Sequence, residues 1–332
     1  MPNGSSKFRT GDVAGARAPG GAPSRAVRFG LVHYATFPES LLDMDAFRRT
    51  LRIATEGSAW DVIELSTEIP QTWISGARDS YLPSSTTLFL SAGPEMLRWR
   101  DALNSASKQS RRRAVSRVQK LVERAVESDA ENLMLVSGPV AGGATSWGPL
   151  LESLQQVCEY AGSFSDRAPG ISVETFETLA IQRQYVGPTP LALWLMEAIQ
   201  RDHARFRITL DLAHILQLGE DLAQSLAATR GRVRHIQLSC CVLRLGDPRW
   251  GDQHLPFGSP GSHPTFSEVS RALAAWSAGF AAGDSEPLPP VVSMEVRPPR
   301  GEDSTVVHKH CVRDVTRICA GAGLVRAHAP QA

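Results

Sequence analysis

A chain of 332 residues, 42% of them hydrophobic, can bury the core of one large α/β domain or of two ordinary ones. Its 35 basic and 34 acidic residues leave a formal net charge of +1, which gives no global field to hold a polyanion. The five cysteines, an odd number with Cys240 and Cys241 adjacent, make no disulfide framework in a chain of this size and suit a reducing cytoplasm. No apolar stretch reaches the roughly 20 residues that span a bilayer.

Residues 1–26 are rich in Gly, Ala, Pro, Ser and Arg and lack the apolar segment of a secretory signal, so they read as a disordered tail. After them one pattern recurs: a short apolar run, a loop, then an amphipathic stretch. VRFGLVH (27–33) is the first run, and Asp43 or Asp45 can cap the helix that follows. WDVIELS (60–66) and TTLFLS (86–91) are the second and third. In RRRAVSRVQKLVERAVESDA (111–130), Val115, Val118, Val122, Ala125 and Val126 fall on one helical face with charges opposite. The opening Arg111-Arg112-Arg113 reads as solvated surface rather than a nucleic-acid patch.

NLMLVSG (132–138) leads into the glycine-rich Gly138–Gly148, a loop without phosphate-binding spacing. GISVETF (170–176) precedes a helix opened by Pro190, where the missing N–H costs little. RITLDL (207–212) and VRHIQLS (233–239) follow. FSEVSRALAAWSAGF (266–280) packs through Val269, Leu273 and Trp276. VVSMEVR (291–297), a helix over Thr305–Cys319 and a tail from 326 to 332 complete the chain. Eight such strands alternating with helices predict a single (β/α)8 TIM barrel over 27–325. The rival, a doubly wound open sheet, lacks its glycine-rich fingerprint after the first strand.

The strand ends carry the chemistry. Ser172-Val173-Glu174, Thr209-Leu210-Asp211 and Ser293-Met294-Glu295 repeat one order: small hydroxyl, apolar, carboxylate. Side chains alternate faces along a strand, so Val173, Leu210 and Met294 pack outward while Glu174, Asp211 and Glu295 converge at the C-terminal mouth. Bare carboxylates there would repel and be neutralised by burial. A divalent cation offsets their charge with hard oxygen ligands; the alternative is that each acid pairs with an arginine such as Arg234 or Arg297.

On the seventh strand His235, Gln237 and Ser239 share a face. Gln237 sits at the depth of a fourth ligand, and His235, deeper, is either a reserve ligand or a hydrogen-bonded core histidine. His214 can reach the mouth from beyond strand six. Asp252 and His254 in WGDQHLPFG (250–258) could form a zinc-type site with His214, or the two histidines could bind a polar substrate, the simpler reading. Arg297 could clamp a phosphate or carboxylate of the substrate, or neutralise Glu295 or Glu64. Glu64, ending strand two, could line the mouth. Cys240 reads as a buried inert thiol.

VETFE, LDLAH, RHIQLS, DQHLPFG and SMEVR, with the stretch 103–139, resemble the xylose isomerase-like TIM barrels: sugar isomerases and epimerases together with the type-IV apurinic endonucleases. The resemblance covers most of 27–325. It implies metal ligation by Glu174, Asp211, the position of Gln237 and Glu295, with one Mn²⁺ or Mg²⁺ favoured by oxygen-rich ligation and Zn²⁺ or Co²⁺ allowed. Gln237 stands where the family has histidine, and Cys240 where an aspartate is common.

The epimerase branch implies that Glu174 and Glu295 act as an acid/base pair on a small sugar-like or polyhydroxy carbonyl substrate through an enediolate. That is carbohydrate metabolism in the cytoplasm, without membrane or nucleic-acid partners; a homo-oligomer is compatible. The endonuclease branch needs two early histidines, and His33 is the only early one. A third reading is a diverged barrel, either a binding protein or a biosynthetic lyase or cyclase.

Overall fold

The short Val-, Ile- and Leu-rich runs, too short for helices and flanked by Gly, Pro and Ser, form parallel strands: β1 Arg25–Val32, β2 Val62–Ser66, β3 Thr87–Ser91, β4 Asn132–Leu135, β5 Gly170–Glu174, β6 Phe206–Asp211, β7 His235–Leu238 and β8 Val291–Met294. In the computed structural model, which describes residues 25–140, 147–179, 181–278 and 288–327, each strand pairs with the next and β1 pairs with both β8 and β2. The sheet closes into the expected (β/α)8 barrel with helices between the strands.

One strand was not foreseen. β9, Leu324–Arg326, lies parallel to the start of β1, pairing Arg25 with Leu324 and Val27 with Arg326. Arg326 closes a bidentate ion pair on Asp61, 2.7 Å at its shortest. The expected tails fall largely outside the described residues; of them, Arg25, Ala26 and Arg326 are strand. The central part of the glycine-rich loop, 141–146, and residues 279 and 280 of the expected 266–280 helix also lie outside.

The helices follow their apolar stripes. Asp43 caps Met44–Thr55, accepting from the Ala46 N–H at 2.8 Å. The helix Lys108–Glu127 starts three residues before the expected Arg111, capped by Ser107. That start changes the reading of the arginine run. Arg111 lies one turn before Ala114 and Val115 on the inward face, is buried, and donates to Glu152 and to the Ser105 carbonyl; Arg112 and Arg113 are exposed as expected. Phe266–Ser277 opens with a Thr265/Glu268 capping box, and Trp276 is fully buried, donating to the Val233 carbonyl at 2.8 Å.

Inside the barrel the hydroxyls predicted to share a face with the acids form a hydrogen-bonded layer. Asn132 donates to Ser172, Thr209 lies 3.3 Å from Ser172 and 3.2 Å from His235 Nδ1, and His235 Nε2 lies 2.9 Å from Ser293 Oγ. Gly30 makes room for this layer: a Cβ there would sit 2.1 Å from Ser293 Oγ. Val173, Leu210 and Met294 are fully buried in the layer between strands and helices. Among the described residues no helix is long and apolar enough to cross a membrane, and all five cysteines are unpaired and buried.

Candidate active site

Two residues beyond the hydroxyls, the strands end in acids. Glu174 closes β5, Asp211 closes β6, Gln237 lies in β7 and Glu295 follows β8, all buried. Asp211 ends its strand and caps the helix Leu212–Gln217 in one stroke. Its Oδ1 accepts from the His214 N–H at 2.9 Å and its Oδ2 from the Ser239 hydroxyl at 2.5 Å. The cap explains why a histidine three residues on reaches the same point: the first helical turn carries His214 back over the strand end.

His214 is fixed on several sides. Its Nδ1 lies 2.8 Å from the Thr175 carbonyl, its ring stacks on Phe176 at 4.3 Å, and its Nε2 lies 3.3 Å from Asp252 Oδ1. Glu174 Oε1 is 3.4 Å from Nδ1.

The loop after β7 turns back into the mouth through two left-handed residues, Gly251 at φ +96° and His254 at φ +48°. A Cβ on Gly251 would lie 2.5 Å from Ile181, so the turn requires glycine. The Arg297 N–H holds the His254 carbonyl at 2.8 Å. His254 Nδ1 lies 3.0 Å from Asp252 Oδ1, and its Nε2 lies 3.6 Å from Glu295 Oε1 and 3.8 Å from Asp211 Oδ2. Asp211, His214 and His254 each offer an atom within 4.8 Å of the others.

Of the expected site residues, Glu174, Asp211, His214, Asp252, His254 and Glu295 come together. Gln237 meets Glu64, donating its amide to Glu64 Oε1 at 3.2 Å. His235 stands apart, in the hydroxyl layer below, bonded to its neighbours as the core reading has it. Arg297 is exposed at the rim of a cavity of about 350 Å³, which Glu174, Asp252, His254 and Glu295 also line. Arg234 donates to the Leu288 carbonyl. Among the described residues, the ion-pair partners of Glu174, Asp211 and Glu295 are imidazoles rather than guanidiniums. The Cys240 thiol lies 3.5 Å from the Pro264 carbonyl, and burial pushes its pKa up, as suits an inert thiol. His33 is buried against Phe37 and Phe47, away from this cluster.

Sequence reasoning did not find Tyr34 and Phe176 in the cavity wall, nor the Thr175 carbonyl beneath His214. Phe176 and Thr175 lie within VETFE, but nothing local marks their role.

Electrostatically the cluster is a buried excess of acid. Burial and the charge of the neighbouring carboxylates hold Glu174 and Glu295 well above the usual carboxylate range. Burial alone lifts Glu64 to about 8. Burial works to lower the His214 pKa, but the Asp211 and Asp252 carboxylates beside it win and hold it raised. His254 is lowered to about 4, chiefly by burial. Asp252 is held below its ordinary value, the imidazoles of His254 and His214 overcoming its burial.

Several buried polar atoms here make no hydrogen bond: Glu64 Oε2, Gln237 Oε1, His214 Nε2, Asp252 Oδ1, both nitrogens of His254 and Glu295 Oε2. Such atoms are costly unless something meets them. A set of carboxylate oxygens and imidazole nitrogens facing one point has the donor chemistry of a divalent-cation site.

A parallel eight-stranded barrel whose acids and imidazoles gather at the C-terminal strand ends has the architecture of the barrel enzymes. A sequence model of the xylose isomerase-like TIM barrel matches residues 86–278, and the chain belongs to that family. Among solved structures it is similar to an L-ribulose 3-epimerase, at 16% identity and TM-score 0.65 over 89% of this chain and 94% of that one. A D-psicose 3-epimerase from Clostridium cellulolyticum H10, with D-tagatose, matches at 15% identity and TM-score 0.58 over 90% and 96%. The IolI protein with a zinc atom matches at 14% identity and TM-score 0.64 over 88% and 98%. No curated protein matches by sequence. At these identities the structural likeness is one of fold.

Proposed function

We propose that the protein is a divalent-metal-dependent isomerase or epimerase of a small, sugar-like carbonyl compound, reacting through an enediolate. One observation carries the reading: two buried glutamates with raised pKa values, from staves three apart, line a single cavity. General acid/base catalysis needs carboxyl groups whose pKa is lifted towards working pH, and burial beside like charges does that. The similar 3-epimerase folds point the same way.

Glu174, Asp211 and Glu295 would hold the ion, together with the Gln237 amide oxygen or an imidazole. When bound, it supplies Lewis acidity to the substrate's carbonyl and hydroxyl oxygens. The oxygen-rich set favours Mn²⁺ or Mg²⁺, and each added imidazole shifts the preference towards Zn²⁺.

One of Glu174 and Glu295, ionised, removes the proton from the carbon α to the carbonyl. The other, protonated, returns a proton to the enediolate, and the stereochemical outcome depends on which face it occupies. His214, anchored between Thr175 and Asp252, orients a substrate oxygen. His254 and Asp252 bound the cavity, and Glu64 takes up the Gln237 amide beneath it. Arg297 at the rim binds an anionic substituent, a phosphate or a carboxylate. The partner is a small molecule. The buried His33, away from the mouth, is a poor ligand for the multi-zinc endonuclease alternative.

Incubation in D₂O with candidate ketoses and their phosphates tests the reading. Wild type should exchange the α proton for deuterium; Glu174→Gln and Glu295→Gln should abolish exchange. Undiminished exchange in both variants would defeat the acid/base assignment.

A further inference from the structure

On the metal-dependent reading above, the site calls for a nitrogen donor. β7 puts an amide at the fourth-ligand depth, and that amide is engaged: Gln237 Nε2 donates to Glu64 Oε1. The loop after β7 brings a ring back over the same place. His254 is 2% exposed, and its Nε2 lies between Asp211 Oδ2 and Glu295 Oε1, at the ends of the strands that flank β7. Neither ring nitrogen makes a hydrogen bond.

The tautomer that suits ligation has a partner in place. Asp252 Oδ1 lies 3.0 Å from Nδ1, where its charge favours a proton on that nitrogen over one on Nε2 and so leaves the Nε2 lone pair facing the two acids. A lone pair facing two acids is repulsive unless a positive charge or a proton lies among them. A carboxylate behind an imidazole is the usual way a ligating ring is oriented. The other imidazole is oriented by different groups: His214 Nδ1 lies 2.8 Å from the Thr175 carbonyl, its ring stacks on Phe176, and its Nε2, also without a hydrogen bond, is turned towards Asp252 at 3.3 Å. The left-handed backbone of His254, held by the Arg297 N–H, is a strain that function at this position would explain.

We infer that His254 is the nitrogen ligand of the divalent-cation site, standing in for the histidine that β7 lacks, and that Gln237 positions Glu64 instead of ligating. The site therefore draws one ligand from a loop that strand order alone does not place there.

The test is calorimetric titration of metal-free protein with Mn²⁺ and Zn²⁺, on wild type, His254→Gln and Gln237→Ala, with circular dichroism confirming the fold of each. Wild type should bind one ion. Since loss of an outer-shell partner alone typically weakens metal affinity about 10–100-fold, His254→Gln should weaken it at least about tenfold, and Gln237→Ala should change it less than about threefold. Pulsed electron paramagnetic resonance of the Mn²⁺-loaded wild type should show coupling to one imidazole nitrogen, kept in Gln237→Ala and lost in His254→Gln. An unchanged affinity in His254→Gln, or a nitrogen coupling that persists there, overturns the ligand assignment while leaving the metal-dependent reading standing. A wild type that binds neither ion overturns both.

Discussion

Ser239 donates its hydroxyl to Asp211 Oδ2 while the Ala213 N–H donates to Ser239 Oγ at 3.1 Å, so one small side chain joins the end of β7 to the acid that ends β6 and the helix that follows it. The contact settles the orientation of Asp211, whose other oxygen is engaged by the His214 N–H. Ser239→Ala removes a donor from a buried carboxylate without disturbing the apolar packing. We predict a fall in divalent-cation affinity of about 10–100-fold, the usual effect of losing an outer-shell partner. We predict a stability loss of about 1–3 kcal/mol from the unsatisfied oxygen. Titration of metal-free protein and chemical denaturation measure the two. An unaltered affinity would exclude Asp211 from the ion's ligands.

Gly30 leaves space for Ser293 Oγ in the inner layer. Gly30→Ala should therefore destabilise the barrel by about 1–3 kcal/mol, as overpacking of a full core does. Ser293→Gly in the same chain should recover part of that loss, because it removes the atom in the way. Denaturation midpoints of both singles and the double give the coupling; simple additivity would mean the two positions do not clash.

Burial lowers the pKa of His33 to about 3 and of His308 to about 4, both from an ordinary 6.5. The unfolded chain binds protons at these positions over a range where the folded chain does not. Their contribution to stability is therefore complete above about 6.5 and is lost as pH falls towards 4. Replacing His33 with phenylalanine, which fits the Phe37 and Phe47 rings beside it, should flatten the melting-temperature profile between pH 6.5 and 4. The difference from wild type should amount to a few kcal/mol, on the order of 2–3 across that window. Parallel profiles for the two proteins would show that His33 is protonated in the fold.

Asp61 accepts from the Phe29 N–H at 2.8 Å and from the Arg326 guanidinium, tying β9 to the loop before β2. Arg326→Ala should cost about 1–2 kcal/mol, the partial exposure of the arginine discounting a fully buried pair. Hydrogen exchange should then accelerate at the amides of residues 324–326 and at the start of β1, with the other barrel strands unaffected. Uniform acceleration over the whole sheet would show that the clamp holds the global fold and not one edge.

The barrel was legible because its signals are local. Each strand announces itself by a short branched run, and the order hydroxyl–apolar–acid at Glu174, Asp211 and Glu295 fixes which face each side chain takes by alternation alone. Asp211 and His214 were legible for the same reason, the cap and one helical turn being local geometry. His254 could be named from DQHLPFG, but its approach to Asp211 and Glu295 depends on two left-handed residues and a backbone bond to Arg297, none visible in spacing. The Gln237 amide turns towards Glu64, a residue 173 positions away, so periodicity along β7 could not give its orientation. β9 is not legible in the sequence because its three residues carry no periodic signal and pair with an overhang of β1. Arg111 reads as surface in the sequence because the helix starts a turn earlier than its apolar stripe suggests.

The pairing of Arg25 with Leu324 sets the first and last strands of the fold side by side. A bridge of a few residues could join them, and new ends could be opened in an exposed connection elsewhere, with every rung between neighbouring staves kept. The order in which the chain is read is thus separable from the ring it builds, and a rearranged gene should still close the same circle.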